Sequence, residues 1–362
     1  MTTTLETLGY DSFFETNRIN LGFGDFSVAR VTAEHRGIYV VITENGEYSA
    51  RLSGKLMHVA LKREDYPAVG DWVVATKADD TTVSIRGILP RKTVLKRIFG
   101  DKNRQGEKTS TQVLGANIDV AFIVEAVGRD YNLNRYERYR TLAESAGIRP
   151  VFILNKTDLI TIEELDIKLA EIQSRFPQIE IILTSVQSAE SIDNLKSVLI
   201  AGETYCFLGS SGVGKSSLIN MLRETITIKT EAISERTKRG KHVTTNREMY
   251  FLPEGGIVID NPGIREVGLA DTSEAVQDTF RTITALAKQC KFQDCTHIHE
   301  PGCAIRAAVE SGDVQREAYD NFISLKKEAD FYEMSEYEKR DKDRRFGKFI
   351  KSAKEDLKKF KR

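Results

Sequence analysis

The stretch "FLGSSGVGKSS", Phe207 to Ser217, constrains this chain more than any other. It meets the pattern G-x-x-x-x-G-K-[ST] at Gly209, Gly214, Lys215 and Ser216, after an apolar run and ahead of the helical "SLINMLRE". A strand that turns at once into a helix brings Gly209, Ser210, Ser211, Gly212, Val213 and Gly214 into a nest of inward-facing amides, because glycine accepts left-handed backbone angles. The helix dipole adds to that field. The ligand of such a cradle is a phosphate chain. Lys215 is expected on its β and γ phosphates and Ser216 on Mg²⁺, with Ser217 closing the motif. A unit of this kind demands an α/β sheet around it.

The surrounding residues supply one. "DVAFIVEAV" (Asp119–Val127), "PVFILNK" (Pro150–Lys156), "IEIILTS" (Ile179–Ser185), "TYCFLGS" (Thr204–Ser210) and "GGIVID" (Gly255–Asp260) are continuous apolar runs. They suit strands buried on both faces of a mostly parallel sheet. In "NLNRYERYRTLAESAG" the residues Leu133, Tyr136, Tyr139, Leu142 and Ala143 keep a helical stripe, with Gly147 as the C-terminal stop. Alternating strands and helices predict a doubly wound α/β domain. Upstream, from about Phe26 to Leu95, short alternating runs between Gly, Asp and Asn turns predict a small β-barrel. "GDKNRQGEKTST", Gly100 to Thr111, reads as a linker or loop. After Asp271 the chain reads as helical, interrupted by a cysteine cluster.

The base of the nucleotide is read at "NKTD", Asn155 to Asp158, at the carboxyl end of a buried strand, where α/β folds bind ligands. Asp158 can accept hydrogen bonds from guanine N1–H and its 2-amino group. Adenine presents no such pair of donors and would leave a charge unpaired. Lys156 is expected along the base face and Asn155 as a tie to the phosphate cradle, with Thr157 completing the turn. In "LTSVQ" the Ser185 amide is expected to address guanine O6. GTP is therefore the expected nucleotide.

Two more elements follow the cradle. "VIDNPG" puts Asp260 at a strand end to hold Mg²⁺ through water, and Gly263 where its amide meets a γ-phosphate. "RTKRGKHVTTNRE" offers Thr244 or Thr245 to close over Mg²⁺ while the γ-phosphate is present. Ile264, after Gly263, cannot hydrogen-bond an attacking water, so unassisted hydrolysis is expected to be slow. His242 is the histidine of that loop and the candidate for placing the water.

The order is unusual, because the base reader precedes the phosphate cradle. "NKTD", "TS", the cradle, the Thr loop, "DNPG" and "CKFQDCTHIHEPGC" together resemble the circularly permuted GTPases of the ribosome small subunit-dependent GTPase A family (RsgA, also YjeQ/YloQ). The resemblance runs from "PRKTVLKR" to "RRFGKFIK". It implies a multi-domain α/β chain with an N-terminal OB-fold β-barrel (1–105, including an N-terminal extension), a circularly permuted P-loop GTPase domain (106–270) and a C-terminal helical zinc-binding domain (271–362). It also implies GTP hydrolysis stimulated by the small (30S) ribosomal subunit, a role in late maturation of that subunit, and contact with its rRNA and other assembly factors. His242 matches the histidine held to serve catalysis, beside Lys215, and Thr244 matches the switch threonine. Val243 and Asn261 depart from the usual "HTTT" and "DTPG", and residues before about Gly24 match nothing in the family and receive no role. The joint between the old chain ends is expected in Ser188–Gly202; such rotation is permitted because domain termini often lie together.

Three of the four cysteines fall in Cys290–Cys303, and so few in 362 residues make no disulfide framework. Cys290, Cys295, His297 and Cys303 offer a Cys₃His set for one tetrahedral, structural Zn²⁺. His299 is set aside, because alternation from His297 points it away and the family match favours His297. Cys206, in an apolar run, reads as core. The formal net charge is zero, so any polyanion must meet local patches, here "RTKRGKH" and the basic C-terminus. No secretory signal or run long enough to span a bilayer is present, which predicts a cytoplasmic protein with no membrane partner; a monomer is expected.

Overall fold

The computed structural model describes residues 3–35, 37–101, 108–128, 131–223, 247–260, 272–334, 338 and 344. Two compact units make up the chain, Met1–Gly268 and Leu269–Arg362.

The first unit opens with the expected barrel. Its strands are β1 (Ser27–His35), β2 (Ile38–Thr43), β3 (Gly46–Leu52), β4 (Trp72–Lys77) and β5 (Thr82–Ile88), and the helix α2 (Gly54–Val59) follows β3. The order β1-β2-β3-β5-β4 closes when β4 pairs back onto β1, and only β3–β5 is parallel. Closure removes the open edge that a small sheet would otherwise expose. Val31, Val41, Ala50, Val73 and Ile85 fill the interior, one face of each alternating strand. The N-terminal segment, to which no role is assigned from sequence, is part of this packing. Asp11 caps α1 (Ser12–Asn20) by accepting from the Phe13 amide. Leu8, Tyr10 and Phe14 then close over Trp72 and Leu89, with the Tyr10 and Trp72 rings edge to face at 4.8 Å.

The remaining strands are β6 (Val94–Asp101), β7 (Lys108–Ala116), β8 (Val120–Ala126), β9 (Arg149–Asn155), β10 (Ile181–Thr184), β11 (Thr204–Leu208), β12 (Glu248–Phe251) and β13 (Ile257–Asp260). β10-β9-β8-β11-β13 form a parallel sheet. The helices α3 (Leu133–Ser145), α4 (Ile162–Arg175), α5 (Ala189–Ser197) and α6 (Lys215–Arg223) connect or follow its strands. Phe122, Val124, Ile153, Phe207, Leu218 and Leu222 lie in one apolar core on this sheet.

Two features differ from the sequence expectation. The segment read as a linker is instead the outer part of a two-stranded hairpin, β6–β7, on either side of residues 102–107. The ends of its strands, Gly100–Asp101 and Lys108–Thr111, are an unbroken polar stretch with no apolar residue and so read as loop. The second is β12. It pairs antiparallel with β13 on one side and meets β1 of the barrel on the other, at Ala33 opposite Glu248. Barrel and α/β layer thus share one eleven-stranded sheet. Four residues are too short a strand to show a period in sequence.

The second unit is helical, as expected: α7 (Ser273–Thr279), α8 (Arg281–Ala287), α9 (Ala304–Ser311) and α10 (Arg316–Glu333). Phe280 and Phe322 pack edge to face at 5.4 Å beneath the cysteine loop. Among the described residues no helix is long and apolar enough to cross a membrane.

Candidate functional site

β9 and β11 are parallel to β8 on either side of it, so Asn155 at the end of one and Gly209 after the other reach the same edge of the sheet. Chain order does not affect this. At that edge the two loops bind each other. The buried Asn155 donates from Nδ2 to the Val213 carbonyl at 2.8 Å, and Thr184 Oγ1 donates to Asn155 Oδ1 at 2.9 Å. Lys156, in a left-handed turn at φ 64°, donates from Nζ to the Gly212 carbonyl at 2.6 Å. Thr157 Oγ1 reaches the Thr184 carbonyl at 3.3 Å. Gly214, at φ 102°, lies so close to Asn155 that a Cβ would strike its amide nitrogen. Only glycine lets the two loops approach this far.

The phosphate loop opens to solvent. Ser211, Gly212, Ser216 and Ser217 are exposed, while Val213 is buried beneath them. Lys215 Nζ donates to the carbonyls of Gly209 and Ser210, both at 2.6 Å. The ammonium is thus held at the loop by neutral acceptors that phosphate oxygens can replace. Burial pushes the Asp260 carboxyl above the usual aspartate range; Glu248 adds to this, while Arg223 and Lys215 oppose it. Asp260 therefore lies within electrostatic reach of the loop lysine. A hydroxyl at Ser216 and a carboxylate at Asp260 are hard oxygen donors, the set that Mg²⁺ takes.

On the base-reading side the Ser185 amide has a partner within the protein. Ser185 Oγ donates a short hydrogen bond to Asp158 Oδ1, but the Ser185 amide, expected to address guanine O6, is bound to Ser191 Oγ at 2.9 Å. That serine comes from the first turn of α5, where nothing in the local sequence marks it as a partner. His242, Thr244, Thr245, Ile264 and Gly263 lie outside the described residues, as do "RTKRGKH" and nearly all of the basic C-terminus. Burial pushes the Cys206 thiol up to about 12, consistent with an inert core residue in β11.

In the second unit the ligand atoms of Cys290, Cys295, His297 and Cys303 all lie within 4.8 Å of one another. Cys290 and Cys303 sulfurs are 3.9 Å apart, and His297 Nδ1 lies 3.6 and 3.7 Å from them. A tetrahedron of ligands about 2.3 Å from its centre has edges of about 3.8 Å, so the four fit one Zn²⁺. His299 is exposed and outside the group. The Tyr319 hydroxyl donates to the His297 carbonyl at 2.8 Å and anchors the loop on α10. Glu300 was not picked out in the sequence, yet it organises the turn. Its carboxylate accepts from the Thr296 hydroxyl and from the amides of Thr296, Ile298 and His299 at 3.1–3.2 Å, and the hydroxyl bond first, then backbone amides, hold it well below the usual carboxylate range. Replacing Glu300 with alanine is expected to weaken zinc binding about tenfold, read by competition with a chelator; an unchanged affinity would assign those bonds no part in shaping the site.

Residues 88–270 match the family model described as RsgA GTPase. A protein of Lactiplantibacillus plantarum, "Small ribosomal subunit biogenesis GTPase RsgA 2", is 41% identical over 84% of this chain and 84% of its own. The Bacteroides thetaiotaomicron "Small ribosomal subunit biogenesis GTPase RsgA 1" is 35% identical over 95% and 94%. Among solved structures, YjeQ from Thermotoga maritima superposes with a TM-score of 0.61 at 26% identity, over 83% of this chain and 98% of that one. The structure of YloQ, described as a circularly permuted GTPase, shares the fold with a TM-score of 0.59 at 23% identity, over 86% and 97%.

Proposed function

The chain belongs to the RsgA GTPase family and is a GTP hydrolase; from that premise we propose that it acts in late maturation of the small (30S) ribosomal subunit. There it binds rRNA and hydrolyses GTP to GDP and phosphate, faster with the subunit than without. It works in the cytoplasm as a monomer, alongside other assembly factors and away from membranes. The observation that supports this best is the bond from Asn155 to Val213, because it joins a guanine reader and a triphosphate cradle into one pocket.

In this reading Asp158 takes guanine N1–H and the 2-amino group. The Ser185 amide exchanges the Ser191 hydroxyl for guanine O6. Lys215 exchanges the Gly209 and Ser210 carbonyls for β and γ phosphate oxygens, where its charge offsets what develops in the transition state. Ser216 and Asp260 would hold Mg²⁺, which neutralises the phosphates. His242 orients the attacking water, which Ile264 cannot do, while Thr244 and the Gly263 amide sense the γ-phosphate. Cys290, Cys295, His297 and Cys303 hold a structural Zn²⁺, and the zinc unit and barrel meet rRNA.

Turnover of GTP by the purified protein, measured alone and with saturating 30S subunits, tests the reading. An increase of at least about tenfold is expected, since positioning a water and stabilising charge are each worth that or more. Equal turnover in the two conditions would remove the ribosomal assignment and leave the GTPase.

A further inference from the structure

Three arginines of the first unit pair with carboxylates that are themselves buried. Arg91 pairs with Asp71, Arg135 with Glu125 and Arg175 with Glu137, each through two hydrogen bonds. Arg30, on β1 of the barrel, is different. It is 1% exposed, and among the described residues no carboxylate touches it. Its guanidinium donates to the carbonyl of Leu8, to Asn117 O at 3.2 Å, to Gly70 O at 3.4 Å and to Thr204 Oγ1 at 2.7 Å, and it lies 5.6 Å from the Trp72 ring centre. One side chain therefore touches the N-terminal segment, the barrel, the turn ahead of β8 and the first residue of β11.

The last of these partners matters most. β11 runs from Thr204 directly into Gly209 of the phosphate loop, and all five of its residues are buried. Thr204 is held on every side. Its amide donates to Asp119 Oδ2 at 2.7 Å, its carbonyl accepts from the Asp119 amide at 2.8 Å, and its hydroxyl takes Arg30. The backbones around this point meet without side chains between them. A Cβ on Gly9, at φ 85°, would land on Arg30 Nη1 and on the Gly202 carbonyl, and one on Gly202, at φ 81°, would land on the Glu6 carbonyl. Asp119 and Asp71 lie near enough to favour the Arg30 charge, yet its direct partners are neutral, and a buried cation is costly to desolvate.

We propose that Arg30 is a positioning residue that clamps the barrel, the N-terminal segment and the foot of the phosphate-loop strand into one rigid body, so that a load on the barrel reaches the phosphate loop. The link to hydrolysis rests on the function proposed above; the clamp itself does not. Without Arg30 the barrel would keep the Ala33–Glu248 pairing, the Ala116 amide on the Val69 carbonyl and the Asn117 side-chain amide on the Gly70 carbonyl, but it would lose the side-chain tie to Thr204 at the foot of β11, and engagement with RNA would be dissipated there. With Arg30 in place the two move together.

The test uses the full chain with Arg30→Met, and with Thr204→Val as a milder variant that removes one acceptor and little volume. Both are first checked for cooperative melting. Nucleotide affinity and unstimulated hydrolysis should stay within about twofold of the parent, while the stimulated kcat falls about tenfold or more at an unchanged half-saturating subunit concentration. Distances between spin labels on α2 of the barrel and on α4 should broaden. A folded Arg30→Met protein with the parent's stimulated kcat overturns the proposal. Basal and stimulated rates that fall in proportion overturn it too, because that is what a purely structural residue does. If the parent itself shows no stimulation, the ribosomal reading has failed, and the label distances decide the clamp alone: broadened supports it, unchanged refutes it.

Discussion

Replacing Asp158 with asparagine is expected to lower GTP affinity by about a thousandfold, roughly 4 kcal/mol, and to create a preference for xanthosine triphosphate. A carboxylate only accepts hydrogen bonds, so it matches the two donors of guanine. The asparagine amide turns one acceptor into a donor and sets it against the 2-amino group, leaving both unsatisfied. Xanthine carries a carbonyl at that position and restores the pair. The side chain already has a fixed orientation, since the Ser185 hydroxyl donates to Asp158 Oδ1 and is itself anchored by the Gln187 amide at 3.0 Å. An asparagine of the same shape should therefore be presented to the base in the same way. Titration of both nucleotides by calorimetry reads the exchange. Unaltered GTP affinity in this variant would remove Asp158 from the base site and with it the case for guanine.

Loss of the metal ligands should have the other large effect, confined to the second unit. His297→Ala is expected to abolish stoichiometric zinc and to melt α8, α9 and α10 as cooperative elements, whereas His299→Ala should retain both metal and helicity. Structural zinc sites contribute about 10 kcal/mol of apparent binding free energy, which serves as folding free energy where the apo site is not preformed. Among the described residues Val276, Phe280, Ile283, Ile305, Val314, Phe322, Leu325 and Ala329 are in the buried apolar centre, and the loop from Cys290 to Cys303, which lies between its helices, has no regular structure of its own. Zinc content by mass spectrometry and helicity by circular dichroism separate the outcomes. GTP binding should survive in His297→Ala, because the nucleotide pocket lies in the first unit. Zinc retained by His297→Ala and lost by His299→Ala would exchange the roles of the two histidines.

The two predictions draw on parts of the chain that could be read locally. Gly209 to Ser217 could be recognised because a nest of amides before a helix needs glycine, lysine and serine at set intervals, whatever surrounds them. "NKTD" and the Cys₃His spacing are of the same kind, as are the apolar runs that become β8, β9, β11 and β13. The hairpin β6–β7 escaped because strand ends that are polar throughout, such as Lys108–Gln112, show no period of two and look like a loop until their partner is known. Ser191 and Glu300 escaped for a related reason: each matters through backbone amides of a neighbouring turn, and no spacing rule links a serine on α5 to the amide of Ser185. The N-terminal segment matched no pattern, yet its Leu8 carbonyl and Phe14 ring belong to the barrel's closure.

By itself the sequence determined the chemistry: which phosphates and which base a loop can take, which four atoms can hold a metal, and which segments are buried strands. Those are short-range demands on backbone angles and donor sets, written within a few residues of one another. Only the tertiary structure decided how the pieces meet. It placed "NKTD" and the phosphate loop on one sheet edge despite their reversed order, because parallel strands end together wherever the chain begins. It also ran barrel and α/β layer into one sheet and brought Arg30 to Thr204 across 174 positions of chain. Contacts at that separation depend on packing the whole unit, so no local pattern carries them.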